Sequence, residues 1–187
     1  SALCLLGSAV SAGVPQYVNP AGDEFPILAW YSILPDSAQT PERYRELREA
    51  GFNISFSHFK SNAQVERALG AMAGTGVRLM LTSHELVDDT EATVNRFKDC
   101  ADVAGWFLRD EPTASGFPEL RQFRNRVYAA DSSRVVYLNL FPSMVDAKSL
   151  EVNDYDEYVN RFIDEVSLPM VSYDFYPIVD EDGSIHV

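Results

Sequence analysis

Apolar runs and amphipathic stretches alternate along this chain. From Pro26 onward, one unit recurs about every 25 residues: an apolar run, a polar or aromatic loop, then apolar positions at helical spacing. The first run is Pro26 to Ile33. Thr40 is suited to cap the helix behind it, with Pro41 at its first position and Glu42 in its first turn. Tyr44, Leu47 and Ala50 form that helix's apolar stripe, and Gly51 marks its stop. The second run, Phe52 to Phe59, precedes a helix carrying Val65, Leu69 and Met72 and ending at Gly76. The third, Val77 to Leu86, precedes a helix with Val94 and Phe97. The fourth, Val103 to Leu108, leads into Arg109-Asp110-Glu111-Pro112 and a helix from near Pro118 with Leu120, Phe123 and Val127. The fifth, Arg134 to Phe141, is followed by Tyr155, Tyr158, Val159, Phe162, Ile163 and Val166, a continuous helical stripe. The sixth is Leu168 to Ile178.

These runs are mostly continuous rather than alternating, as parallel strands covered by helices require. No Gly-rich phosphate loop follows a strand. Repeated strand–helix steps of this kind predict an α/β fold, a (β/α)8 TIM barrel truncated after about six βα units. A complete barrel has eight strands and about 250 residues, so the C-terminal strands are expected to be missing from 13–187. A complete open α/β sheet is the alternative.

Residues 1–12 change the picture at the other end. The apolar stretch from Ala2 closes on Val10-Ser11-Ala12, which reads as the remnant of a secretion signal cleaved before Gly13. That predicts a secreted, periplasmic or cell-surface protein with no membrane insertion after cleavage. Cys4 would leave with the signal, so Cys100 is expected as a buried, inert thiol with no disulfide. No Cys/His cluster has zinc spacing, and neither metal nor cofactor is expected. The formal net charge of -13 argues against nucleic acid and anionic membranes, which need a basic face. It leaves neutral ligands open.

In a barrel the chemistry sits at the C-terminal strand ends. Those ends read Trp30-Tyr31, Ser57-His58-Phe59, Ser83-His84-Glu85, Arg109-Asp110-Glu111-Pro112, Asn139-Leu140-Phe141-Pro142 and Tyr173-Asp174-Phe175-Tyr176-Pro177. Aromatic faces beside hydrogen-bonding groups suit a sugar, whose apolar C–H faces are ringed by hydroxyls. Glu111 is the candidate general acid, a role that needs a carboxyl kept protonated near neutral pH. Asp110 beside it would raise its pKa, and a pairing with Arg109 would lower it. A structural alternative pairs Arg109 with Asp110 and uses Glu111 to cap the next helix.

Gly105-Trp106-Phe107-Leu108-Arg109-Asp110-Glu111-Pro112 resembles the strand-four motif of clan A glycoside hydrolases, in which an Asn-Glu-Pro carries the acid/base. Here Asp110 stands where that family has the Asn that contacts the sugar 2-hydroxyl. The Ile27-Leu28-Ala29-Trp30-Tyr31 and Ser172-Tyr173-Asp174-Phe175-Tyr176-Pro177 segments also resemble secreted Bacteroidetes-type barrels related to β-galactosidases. The resemblance implies a retaining glycosidase acting on oligo- or polysaccharide. Glu111 would be its acid/base, and the nucleophile would lie on a strand seven outside this sequence, making the chain an N-terminal fragment. It also implies a strand-six Tyr that orients the nucleophile; Tyr173 and Tyr176 are both candidates. Trp30, His58, Asp110 and Asn139 complete the expected substrate-binding set. A non-catalytic carbohydrate-binding barrel is the second expectation, and Asp110 is its support; a divalent-metal hydrolase using Asp110, Glu111, Asp174 and His58 is the third, without a metal-specific spacing.

Overall fold

The computed structural model describes residues 15–35, 38–176, 179–181 and 184–186. The expected signal remnant, with Cys4, lies outside them, as do Pro177 and Ile178 of the sixth run. Five strands form one parallel sheet in sequence order: β1 Leu28–Ala29, β2 Ile54–Phe56, β3 Arg78–Leu81, β4 Val103–Asp110 and β5 Val135–Asn139. Helices α1 Pro41–Glu49, α2 Asn62–Met72, α3 His84–Asp88, α4 Thr90–Phe97, α5 Phe117–Ala130 and α6 Tyr155–Arg161 fall in the connections. This is the α/β architecture with which a barrel wall begins, and the described strands stop short of a closed barrel. A short antiparallel hairpin, β6 Val179–Glu181 with β7 Ser184–His186, follows.

Local chemistry starts most of the helices. The side chains of Thr40, Ser61, Ser83, Asp89 and Asp154 accept hydrogen bonds from the amides of Arg43, Gln64, Leu86, Ala92 and Glu157. Each satisfies an amide that the first helical turn leaves orphaned. Ser83 corrects the third run: the strand ends at Leu81, and His84 to Asp88 turn into a helix that buries Leu86 in the core. Ile163 is a second correction. The helix after Asp154 widens into a π turn over Phe162–Val166, which leaves Ile163 exposed while Phe162 and Val166 stay buried. Cys100 is free and only half-buried, packed against the edge of the core.

Two apolar layers hold the sheet. The outer one joins it to the helices, with Leu79, Leu81, Trp106, Leu108, Val136 and Leu138 meeting Met72, Phe117, Leu120 and Phe162. Trp106 is fully buried, and its indole N–H donates to Asp131 Oδ2 at 3.0 Å. The inner layer is the concave face: Ile54, Phe56, Met80, Ala104, Phe107 and Val135.

β4 breaks the two-residue alternation of an ordinary strand. Its register slips against β3 between Leu79 and Met80, and against β5 between Phe107 and Asp110. Each slip is a bulge that inserts one residue. The inward positions of β4 are therefore Ala104 together with Gly105, then Phe107, then Asp110 three residues on, while β5 presents Val135, Tyr137 and Asn139 at the usual step of two.

The sixth run is corrected too. It forms no ladder: Tyr173 makes a single parallel bridge to Leu140, through Leu140 N–H to Ser172 C=O (2.8 Å) and Asp174 N–H to Leu140 C=O (3.3 Å). The left-handed Ser167 (φ 60°) and Pro169, which has no N–H, delay its extension.

Candidate active site

Glu111 stands at the carboxyl end of β4 in a left-handed conformation, φ 44°. That conformation is sterically unfavourable for a residue with a Cβ and is typical of functional strand ends. The surroundings hold it there. The Glu111 amide donates to Asn139 C=O at 2.8 Å, and the next carbonyl, of buried Pro112, accepts from Tyr158 Oη at 2.6 Å. Arg109 points elsewhere and pairs with Glu119 at 3.4 Å. The α5 helix begins after Gly116 with no side-chain cap. The alternative of an Arg109–Asp110 pair with Glu111 as a helix cap is therefore not what forms.

Asn139 is the centre of the polar network and is 4% exposed. Its Nδ2 donates to Asp174 Oδ1 at 2.7 Å and, more weakly, to Asp110 Oδ1 at 3.4 Å. Its Oδ1 accepts from Ser172 Oγ at 2.9 Å, and Ser172 meets Tyr137 Oη at 3.2 Å. Tyr176 Oη donates to Asp174 Oδ2 at 3.2 Å. The sixth segment thus presents Met170, Ser172, Asp174 and Tyr176 to the concave side. Tyr173 falls on the opposite parity, half-exposed and edge-on to Phe175 at 6.5 Å. Of the two tyrosine candidates, Tyr176 is the one that reaches the carboxyl cluster. Asp174, Ser172 and Tyr137 had no sugar-binding role in the sequence reading. Asp174 stood there among the strand-end residues, and the alternation that sets Ser172 and Asp174 on one side is unanchored until Met170 is seen against the inner core.

The other side of the face is aromatic. Trp30 lies over Phe56 with ring centroids 4.4 Å apart, Phe56 meets Phe107 at 4.5 Å, and Phe107 meets Tyr137 at 5.4 Å. His58 continues the inward parity of Ile54 and Phe56, with Tyr31 at 5.4 Å and Phe107 at 5.9 Å. Trp30 and Tyr31 are partly exposed, so aromatic surface remains open beside the carboxyls. Beneath them, towards the amino ends of the strands, is a cavity of about 170 Å³ lined by Leu28, Ile54, Met80, Val135, Tyr137 and Met170 among others.

The electrostatics follow from this crowding. Burial pushes the Glu111 carboxyl above its ordinary value, and the charges of Asp110 and Asp174 and contact with the Asp174 carboxyl add to the rise. Burial also raises Asp110; Asp174 reinforces that, while the Asn139 amide and His58 oppose it. His58 is held low by burial and by His84, against the pull of Asp110. Tyr176 is raised, chiefly by its hydrogen bond to Asp174. Among the described residues, no group of three or more His, Cys, Asp or Glu side chains is arranged to hold a metal ion. No described helix is long and apolar enough to cross a membrane.

No family model and no curated protein matches the chain. Solved structures do. A glycosyl hydrolase family 2 member from Bacteroides cellulosilyticus aligns with a TM-score of 0.50 at 16% identity, over 79% of this chain and 21% of its own. A beta-1,4-D-mannanase from Cryptopygus antarcticus aligns with a TM-score of 0.58 at 11% identity, over 88% of this chain and 70% of its own. The chain therefore spans about a fifth of the length of the first and most of the second. At these identities the likeness shows the fold alone, a parallel α/β sheet of the kind found in these two hydrolases. It does not extend to a particular clan.

Proposed function

We propose that this chain carries the acid/base half of a secreted, retaining glycoside hydrolase acting on oligo- or polysaccharide. One observation carries the reading: Glu111 ends β4 with its carboxyl raised by burial and by two neighbouring carboxyls, beside an open aromatic face. A raised carboxyl retains the proton that a departing glycosidic oxygen must receive. The partner carboxylate belongs to a seventh barrel strand beyond this sequence, about 5–5.5 Å away across the scissile bond, as retention requires. Trp30 offers a stacking face to the sugar, with His58 and Asn139 at its hydroxyls. Tyr176, tied to Asp174, orients the nucleophile. Asp110 accepts from a sugar hydroxyl when ionised and donates when protonated. Residues 13–187 form the first part of the barrel, behind an export signal in 1–12.

The test is Glu111→Gln in the full-length protein. Turnover of a glycoside with a poor leaving group is expected to fall by about 10²–10⁴-fold, the usual worth of a general acid. Unchanged turnover removes Glu111 from the chemistry. A second reading, a carbohydrate-binding barrel without hydrolysis, draws on Asp110 standing in place of the resembled Asn. Sugar binding by calorimetry with no product formed favours it, and any measured hydrolysis that depends on Glu111 rejects it.

A further inference from the structure

Side chains stop alternating where β1 meets the rim of the sheet. Leu28 packs towards the inner layer, so a regular strand would put Trp30 inward and Tyr31 outward. Both rings instead lie on the inner side. Trp30 stacks on Phe56 at 4.4 Å; Tyr31 meets the same Phe56 edge-on at 6.0 Å and His58 at 5.4 Å. A left-handed backbone at Tyr31, φ 49°, makes this possible. Glu111 at the end of β4 has the same conformation, φ 44°. It is sterically costly for any residue with a Cβ, and more so for a bulky one.

The neighbouring strand fixes this turn. Ser32 N–H donates to Phe56 C=O at 3.2 Å, the Ser32 and Ser55 hydroxyls bond at 2.8 Å, and Ser57 Oγ donates to Ile33 C=O at 2.8 Å. Ser55 and Ser57 are fully buried. The ring that the turn aims is nevertheless 49% exposed. Core packing does not account for an outlier whose side chain is half in solvent. Such strain persists where the aim of the side chain serves a site.

Trp30 leans one face on Phe56 at a tilt of 32°, Tyr31 leans one face on His58 at 39°, and both rings keep exposed surface. Their centroids are 6.0 Å apart and their planes cross at 77°. A pyranose presents flat C–H faces, and it lies flat on one platform at a time. Two adjacent platforms nearly at right angles therefore suit two successive sugar units. The pair belongs to the same rim as the carboxyls: Phe107, three residues before Asp110 on β4, lies 5.6 Å from Trp30 and 5.9 Å from His58. We propose that Tyr31 is a specificity-determining residue, a second stacking platform that draws affinity from a second linked sugar and selects chains over single sugars. This rests on the concave rim being a sugar site.

Binding of neutral β-1,4-linked glucose, mannose and galactose oligomers to the full-length protein tests it, by calorimetry or ligand-observed NMR with Glu111→Gln present to prevent turnover. Affinity for the series that binds is expected to rise about tenfold from one unit to two. Tyr31→Ala is expected to lose that rise and to keep the affinity for the single sugar. Tyr31→Phe is expected to retain the rise, because stacking needs the ring and not the hydroxyl. Tyr31→Gly, which accepts the left-handed turn without strain, replaces Tyr31→Ala if that variant does not fold. A flat length series, an undiminished rise without the ring, loss of the rise in Tyr31→Phe, or no binding of any series overturns the proposal. Absence of hydrolysis by the wild type, with the rise and its dependence on Tyr31 intact, would defeat the acid/base reading alone.

Discussion

Gly105 sits at the first bulge of β4, facing Met80 and Val135 of the inner layer. A Cβ built there would lie 2.6 Å from Val135 C=O, 2.7 Å from Val135 Cγ1 and 3.2 Å from Met80 Sδ. The first contact is with backbone, so no rotamer change relieves it. Gly105→Ala must push β5 away from β4 or shift the bulge. Overpacking of a core costs about 1–3 kcal/mol, and a backbone clash belongs at the upper end. For a domain of this size, each kcal/mol moves Tm by about 2–4 °C, so a loss of about 3 kcal/mol lowers Tm by about 6–12 °C. Gly70 is the control. It lies in α2 with nothing within 4 Å of an added Cβ, so Gly70→Ala is expected to raise stability by about 0.5–1 kcal/mol. Calorimetry or urea denaturation measures both. If Gly105→Ala melts at or above the wild type, the close approach of β5 at this bulge is not the reason for glycine.

Other consequences can be checked by similar means. The Glu111 carboxyl is raised, so its contribution to stability is present below its unfolded value and is lost as pH rises through the folded one. Glu111→Gln is therefore expected to melt higher than the wild type at neutral pH and to lose that advantage in acid; an advantage that is the same at both pH values contradicts this. Asp131 behaves in the opposite sense. Burial pushes its carboxyl up, but bonds from the Ser133 hydroxyl and amide, the Trp106 indole and Arg134 outweigh burial and hold it low. Its stabilisation is present above about pH 4 and is lost as pH falls through the lowered value. Asp131→Asn should therefore lower Tm more at neutral pH than near pH 3, and an equal loss at both would count against the network. Trp30→Ala removes the open face stacked on Phe56, and weaker oligosaccharide binding by about tenfold, or about 1.4 kcal/mol, is expected by calorimetry. Unaltered affinity would place the sugar elsewhere.

Much of this was legible in the sequence because it is written locally. Thr40 before Pro41, and Asp154 before Tyr155, cap helices within a single turn. The apolar runs mark the five strands because a strand covered on both faces has no polar side to show. Glu111 was visible as the carboxylate that follows the fourth run. What stayed hidden depends on partners distant in sequence. A bulge exists only relative to a neighbouring strand, so the step of three that turns Phe107 and Asp110 inward could not be read from β4 alone. Parity in the sixth segment favours Tyr176 over Tyr173 only once Met170 is packed on the inner layer. The polar network around Asn139 is the clearest case. Asp110, Asn139 and Asp174 are plain in the sequence, but they come from three separate segments, and only the folded sheet brings them together on the buried Asn139 amide.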